Sequence, residues 1–320
     1  MDITAPIYND ADKAREHLEA IHWPHGPLCP HCGNANPNRI TKLEGKSTRP
    51  GVYKCNECRA PFSVTVGTVF ERSKIPLHKW VLASHLMAAS KKGLSAHQLH
   101  RMLGVTYKTA WFMAHRIREA MKEDVTSGPM GGEGKIVEAD ETYFGKTETQ
   151  PTVTTRGTPF TKGGKSGPSG KRAVVGLIER GGKIRTFHVA KANAETVRDV
   201  LVRNVSRDTT LYTDESRLYT VTGREFASHE TVQHSRGEYA RGTVHTNTIE
   251  NYFSVFKRGM RGVYQHCAEK HLHRYLVEFD FRHNRRSALG VDDATRRDDA
   301  LKGIEGKRLT YRRIGEAALA

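Results

Sequence analysis

Apolar side chains recur every three or four positions between residues 94 and 121. Leu99, Met102 and Leu103 form one such face, and Ala110, Met113, Ala114, Ile117 and Met121 form a second. That period predicts two helices with core-facing stripes. Gly104 permits a turn between them, and Val105 packs underneath it. Ser95 with Gln98 is a capping-box pair for the first helix, and Thr106 is an N-cap for the second. With a further helix over 75–89, residues 71–126 read as a helix–turn–helix-like module. Tyr107, Lys108, Trp111, His115 and Arg118 are then left pointing outward, and the start of such a second helix is the part that meets base edges in DNA.

Downstream the period changes. Residues 136–144 look like a strand ending in acidic residues, and two strand runs, 172–179 and 183–190, flank the turn signal Arg180-Gly181-Gly182. A helical run over 194–204 follows, then a strand over 209–213 that leads into Asp214, a short strand near 229–232 and a helix over 246–264. Three antiparallel strands, a helix, two more strands and a long helix is the order of the RNase H-like fold. The expected fold class is therefore α/β, with an RNase H-like (retroviral-integrase-like) catalytic core over 134–286. A Gly/Pro linker at 127–132 precedes it, and a polar Gly/Lys/Ser/Thr loop at 145–170 interrupts it. Residues 287–320 read as a basic C-terminal tail.

Residues 1–70 hold Cys29-Pro-His-Cys32 and Cys55-Asn-Glu-Cys58, with 22 residues between the pairs. Two C-x-x-C turns can converge four thiolates on one ion in a tetrahedral site. Short β-like runs at 39–43, 52–54 and 62–66 complete the pattern of a zinc ribbon. So small a module buries little surface, and zinc is expected to hold it folded. Whether the ribbon contacts DNA or protein stays open. Cys267 stands alone and is expected to pack as a small hydrophobe.

Charge narrows the partners. Lys and Arg number 51 against 35 Asp and Glu, giving a formal charge of +16. Such an excess favours polyanions, above all nucleic acid. No apolar run near 18 residues, lipidation motif or signal-peptide pattern is present, so a cytoplasmic, nucleoid-associated protein without a membrane partner is expected. In that reducing compartment the five cysteines are not read as disulfides.

Asp140 ends the first predicted strand, Asp214 ends the fourth, and Glu250 lies on the last helix, with 35 residues between it and Asp214. A few converging carboxylates suit Mg²⁺, which prefers hard oxygen ligands. Two such ions about 3.5–4 Å apart stabilise both the attacking and leaving oxygens of a phosphodiester in an in-line displacement. Lys257, two helical turns after Glu250, shares its face and suits a DNA phosphate. Glu138 shares a strand face with Asp140, Glu141 faces the other way, and Asn247, one turn before Glu250, is the alternative third ligand. His245, at the helix start, suits a capping or packing role.

Taken together, CPHCG, CNEC, LSAHQLHRMLGVTYKTAWFMAHRIREAM, VEADETYFGK, LYTDES and the block from His245 to Arg286 resemble the DDE transposases of bacterial insertion sequences, specifically the IS-fifteen-ninety-five group with its ISXO-type domain. The resemblance spans about residues 20–290. It implies a zinc ribbon, an RNase H-like core, Mg²⁺-dependent (or Mn²⁺-dependent) cleavage at element ends and strand transfer into target DNA. Asp140 and Asp214 take the two Asp positions and Lys257 the trailing lysine, while the third position takes Glu or Asn in that group. It also implies a homo-oligomer on DNA. Residues 257–286 carry eight Lys or Arg against three Asp or Glu. Among them Arg258 and Arg261 are expected to track phosphates. Two alternatives remain: a non-catalytic DNA-binding regulator, and an RNase H-like nuclease that cuts without joining.

Overall fold

The computed structural model describes residues 2–123, 128–148 and 170–310. Ser127 of the predicted linker, most of the predicted polar loop (149–169), and Arg312 and Arg313 of the predicted tail lie outside the described residues. In chain order the elements are α1 (Ala11–His22), β1 (Ile40–Lys42), β2 (Tyr53–Cys55), β3 (Pro61–Phe62), α2 (Leu77–Ala89), α3 (Ala96–Leu103), α4 (Tyr107–Ala120), β4 (Ile136–Lys146), β5 (Lys171–Glu179), β6 (Ile184–Val189), α5 (Ala194–Asn204), β7 (Thr210–Asp214), β8 (Ser228–Val232), α6 (Asn247–Gly259), α7 (Leu272–Asn284) and α8 (Asp293–Lys302). They form two compact units. One joins the residues up to 122 with those from 285 onward, and the other spans 123–284.

In the first unit β1, β2 and β3 make a small antiparallel sheet. Trp23, Tyr53 and Phe62 pack ring against ring beside buried Cys29, Ile40 and Cys55. Helix α1 precedes this sheet, capped by Asp10 through the backbone N–H groups of Asp12 and Lys13. It buries only Ala14 and Leu18, which is why a pattern search for an apolar stripe passes over it.

The helices of this unit form where the period puts them. Ser95 accepts from the Gln98 N–H, Gly104 closes α3 at φ +60°, and Thr106 accepts from the Thr109 N–H. Ala110, Met113, Ala114, Ile117 and Met121 are all buried. Three side chains differ from expectation. Met102 is 45% exposed, because α3 is short and buries only Leu99 and Leu103. His115 and Arg118 are buried, Arg118 to 3% exposure, because α4 packs against α2, α3 and α8 and has little free circumference in its second half.

The stretch from 287 also departs from the basic tail that its composition suggests. Residues 293–302 fold as α8, capped by Asp292. Its arginines do structural work: Arg296 donates to the carbonyls of Ala88, Arg285 and Val291, and Arg297 pairs with Asp298 and donates to the Tyr8 hydroxyl.

The second unit is built on one mixed sheet with strand order β6-β5-β4-β7-β8. β4, β5 and β6 are antiparallel neighbours, while β7 runs parallel to β4 and β8 parallel to β7. Strand alternation divides the core in two. Val137, Ala139, Val175 and Leu177 meet Val197 and Leu201 of α5. On the opposite face Val174, Ile178 and Phe144 meet Ile249, Phe253 and Phe256 of α6 and Phe279 of α7. The predicted helix over 246–264 is shorter than its period suggested. Past Gly259 it relaxes into a π-type turn, Met260–Tyr264, and ends at Gln265 with φ +56°. No helix among the described residues is long and apolar enough to cross a membrane.

Candidate active site and metal centre

Each cysteine pair brackets a turn that closes in the left-handed region, at Gly33 and at Arg59. Cys29 Sγ lies 3.6 Å from Cys58 Sγ, Cys32 Sγ lies 3.7 Å from Cys55 Sγ, and all four sulfurs fall within 4.8 Å of one another. A tetrahedral zinc with Zn–S bonds of about 2.3 Å requires sulfur–sulfur edges of about 3.8 Å. The cradle fits that ion. The Cys58 backbone N–H and the Asn34 amide push the Cys55 thiol down to about 6. Against the Asn34 and Ala60 N–H groups, desolvation and the neighbouring sulfurs push Cys32 up to about 12 and Cys58 up as well. One of these three sulfurs thus ionises readily, and the other two need a cation to do so. Cys267 stands apart, half-buried against the core beneath α6 and α7.

The carboxylate site grows out of strand register. β4 and β7 are parallel, with Glu138 opposite Tyr212. Two residues further along each strand, past the last paired position, come Asp140 and Asp214, both on the sheet face whose apolar residues meet α6. Across β4 on its other side, Asp140 pairs with Gly176 of β5. A Cβ on Gly176 would stand 2.7 Å from the Phe253 ring and 2.9 Å from Ile249 Cδ1. The missing side chain lets α6 approach the sheet beside Asp140, and α6 carries Glu250 and Lys257.

Burial holds the Asp140 carboxyl well above its ordinary range, and the charges of Glu141, Asp214 and Glu250 raise it further. Asp214 is raised for the same first reason, with Glu215 and Glu250 adding to it, while the Ser216 N–H and His234 oppose it. Burial pushes the Lys257 ammonium down, partly offset by Asp140. These side chains therefore feel one another across a single site. Its oxygen donors are hard and mutually repelling, a strain that a divalent cation relieves. They are less tightly gathered than the sulfurs. Among the described residues, only the cysteines form a group of three or more metal-type ligands with every donor inside 4.8 Å.

Glu250 is held at its outer edge, where its Oε1 accepts from the Thr246 hydroxyl at 2.7 Å and lies 3.2 Å from His234 Nε2. His234 was not among the sequence candidates. It opens a short 3-10 turn, His234–Arg236, after β8, and only the fold brings it near Asp214 and Glu250. Asn247 is exposed at the first position of α6. Glu141 faces away from α6, accepting from the Tyr219 hydroxyl at 2.8 Å. Glu138 does not join the site; it is fully buried beneath the start of α6.

Of the expected DNA contacts, Tyr107 is 45% exposed with its ring stacked on His97, and Lys108, Arg258 and Arg261 are exposed. Arg118, being buried, is removed from that set.

Comparison with known proteins agrees with this layout. Residues 131–284 match the ISXO2-like transposase domain, and residues 9–61 match the transposase zinc-ribbon domain. An uncharacterised protein in transposable element ISH50 of Halobacterium salinarum is 32% identical over 280 residues, covering 84% of this chain and 90% of that relative. The chain belongs to the ISXO2-like transposase family. Solved structures of the Mos1 transposase overlap it only loosely. A paired-end complex with the left transposon end covers 66% of this chain and 70% of that one, at 14% identity and a TM-score of 0.28. A pre-cleavage transpososome covers 62% and 74%, at 11% identity and a TM-score of 0.19. In this transposase the ribbon match contains all four cysteines, and the domain match contains Asp140, Asp214, Glu250 and Lys257.

Proposed function

We propose that this transposase is a DDE-type DNA strand transferase with an RNase H-like core, cutting the ends of its element and joining them to target DNA. The observation that carries the reading is that Asp140 and Asp214 each follow the last paired residues of adjacent strands β4 and β7 by two positions, with Glu250 and Lys257 near them on α6. Asp140, Asp214 and Glu250 would hold two Mg²⁺ or Mn²⁺ ions. Bound there, the ions supply charge stabilisation for the attacking and leaving oxygens of a phosphodiester. Glu250 is preferred to Asn247 because its charge is felt by both aspartates. Lys257, half-buried and facing Asp140, steadies a DNA phosphate. The exposed start of α4, with Tyr107 and Lys108, reads element-end DNA, while Arg258 and Arg261 follow its backbone. The ribbon carries a structural Zn²⁺ on Cys29, Cys32, Cys55 and Cys58. The working form is an assembly of copies on DNA.

The test is reconstitution. Purified protein is incubated with duplexes carrying the element's ends and a supercoiled target plasmid. Strand cleavage and joined products are expected in Mg²⁺ or Mn²⁺ and neither in EDTA. Cleavage without joining would favour a nuclease; binding without cleavage would favour a regulator.

A further inference from the structure

We infer that the pair of buried Glu138 and half-buried Arg180 is a positioning device that indexes α6, and with it Glu250 and Lys257, to the strand that bears Asp140. The inference rests on the site proposed above. Glu138 lies two residues before Asp140 on the same face of β4, and its side chain is fully buried. Its Oε2 accepts from the N–H groups of Thr248 and Ile249 at 3.0 and 3.1 Å, and its Oε1 from the Thr248 hydroxyl at 2.9 Å. Those N–H groups open α6, where none has a partner inside the helix.

Helices usually satisfy them with the N-cap side chain. Here the N-cap is Thr246, which caps nothing, because its hydroxyl donates to Glu250 instead. The capping role has passed to a carboxylate 110 positions earlier in the chain, on the catalytic strand.

Arg180 completes the clamp from the turn after β5. Its Nε donates to Glu138 Oε1 at 2.8 Å. Its other nitrogens hold the approach to α6, donating to the carbonyls of Thr243 and His245 at 2.6 and 3.0 Å, with the guanidinium over the Tyr212 ring of β7. One ion pair, buried on its carboxylate side, thus joins β4, β7, the β5–β6 turn and the start of α6. Glu250 follows Thr248 by two residues and Lys257 lies two turns beyond it. A displaced helix start moves both against Asp140.

Two variants of the full-length protein test this, Glu138→Gln and Thr248→Val. The readouts are the Mg²⁺ dependence of element-end cleavage, DNA affinity and zinc content, all taken well below the unfolding temperature. Glu138→Gln is expected to raise half-saturating Mg²⁺ about tenfold, with Mn²⁺ restoring part of the rate and DNA affinity within about twofold. Thr248→Val, which removes one hydrogen bond and no charge, is expected to raise it about threefold and serves if Glu138→Gln does not fold. Wild-type Mg²⁺ dependence in the folded variants, with or without a lowered unfolding temperature, would reduce the pair to a stabilising contact and overturn the inference. Failure of the wild-type protein to cleave with any divalent metal would instead overturn the site itself, and the inference with it.

Discussion

Gly176 and Phe253 touch so closely that a methyl group between them would leave 2.7 Å to the ring. Gly176 sits opposite Asp140 in the β4–β5 ladder, and Phe253 is one turn beyond Glu250 on α6. The absence of a side chain there sets how near the helix comes to the first aspartate. Gly176→Ala is expected to cost about 1–3 kcal/mol through overpacking. A helix displaced on the order of 1 Å is expected to lower strand cleavage about 100-fold. Thermal unfolding and single-turnover cleavage read the two effects separately. Full activity in Gly176→Ala would mean that the helix position is not critical.

The cysteine centre makes a compositional prediction. Metal analysis of the wild-type protein should find about one zinc per chain, and Cys55→Ser should lose it together with the folded ribbon. Protease sensitivity is expected to rise within residues 9–61, the matched ribbon. A metal-free protein with an ordered ribbon would contradict the assignment.

Binding and chemistry are expected to separate. Lys108→Ala should weaken binding across all DNA sequences and reduce the salt slope by about one. Tyr107→Ala should weaken discrimination between element ends and unrelated DNA. Neither change should alter the Mg²⁺ dependence of cleavage, and salt-titrated binding with a cleavage assay checks both. Arg118, buried in its helical packing, is expected instead to affect folding when replaced.

Asp280 gives the second unit a pH-dependent stability. It is half-buried beside Tyr252 and Thr186, which donate to it, and its loss of solvation pushes the carboxyl up to about 7. The native state therefore keeps a proton that the unfolded chain has already released. The stability that this proton confers is complete below about pH 4 and is lost as pH rises through about 7, at most about 4 kcal/mol. Denaturant unfolding at pH 5 and pH 8 should show the loss, and Asp280→Asn should flatten it. An unchanged slope in that variant would assign it to other groups.

Much of this was legible from the sequence because the signals are local. The C-x-x-C pairs, the turn at Gly181-Gly182 and the caps at Ser95 and Thr106 each depend on neighbours within a few positions, and each forms as expected. Asp214 ends β7 as the pattern predicts, but Asp140 does not end its strand: β4 runs on to Lys146, because Thr142 to Phe144 continue the pairing with β5.

What escaped depends on distant partners. Glu138 looked like a rival ligand, because nothing near it in sequence reveals the helix start that it caps. His234 lies outside any period, and only the fold brings it to Glu250. Residues 293–302 read as part of a basic tail because the side chains that they bury include Arg296 and Arg297, which reach the distant Ala88 carbonyl and Tyr8 hydroxyl besides the nearby Asp293 and Asp298. Arg118 failed for the same reason: burial was inferred from hydrophobicity, while α4 is enclosed on several sides.

The central claim, that Asp140, Asp214 and Glu250 form one metal-dependent centre for DNA strand cleavage and joining, is tested most directly by Asp214→Asn. Its side chain keeps the shape of the original and loses the charge. Element-end cleavage and joining in Mg²⁺ should disappear, while affinity for end DNA, zinc content and unfolding temperature stay near wild type. Cleavage at the wild-type rate by Asp214→Asn would contradict the account.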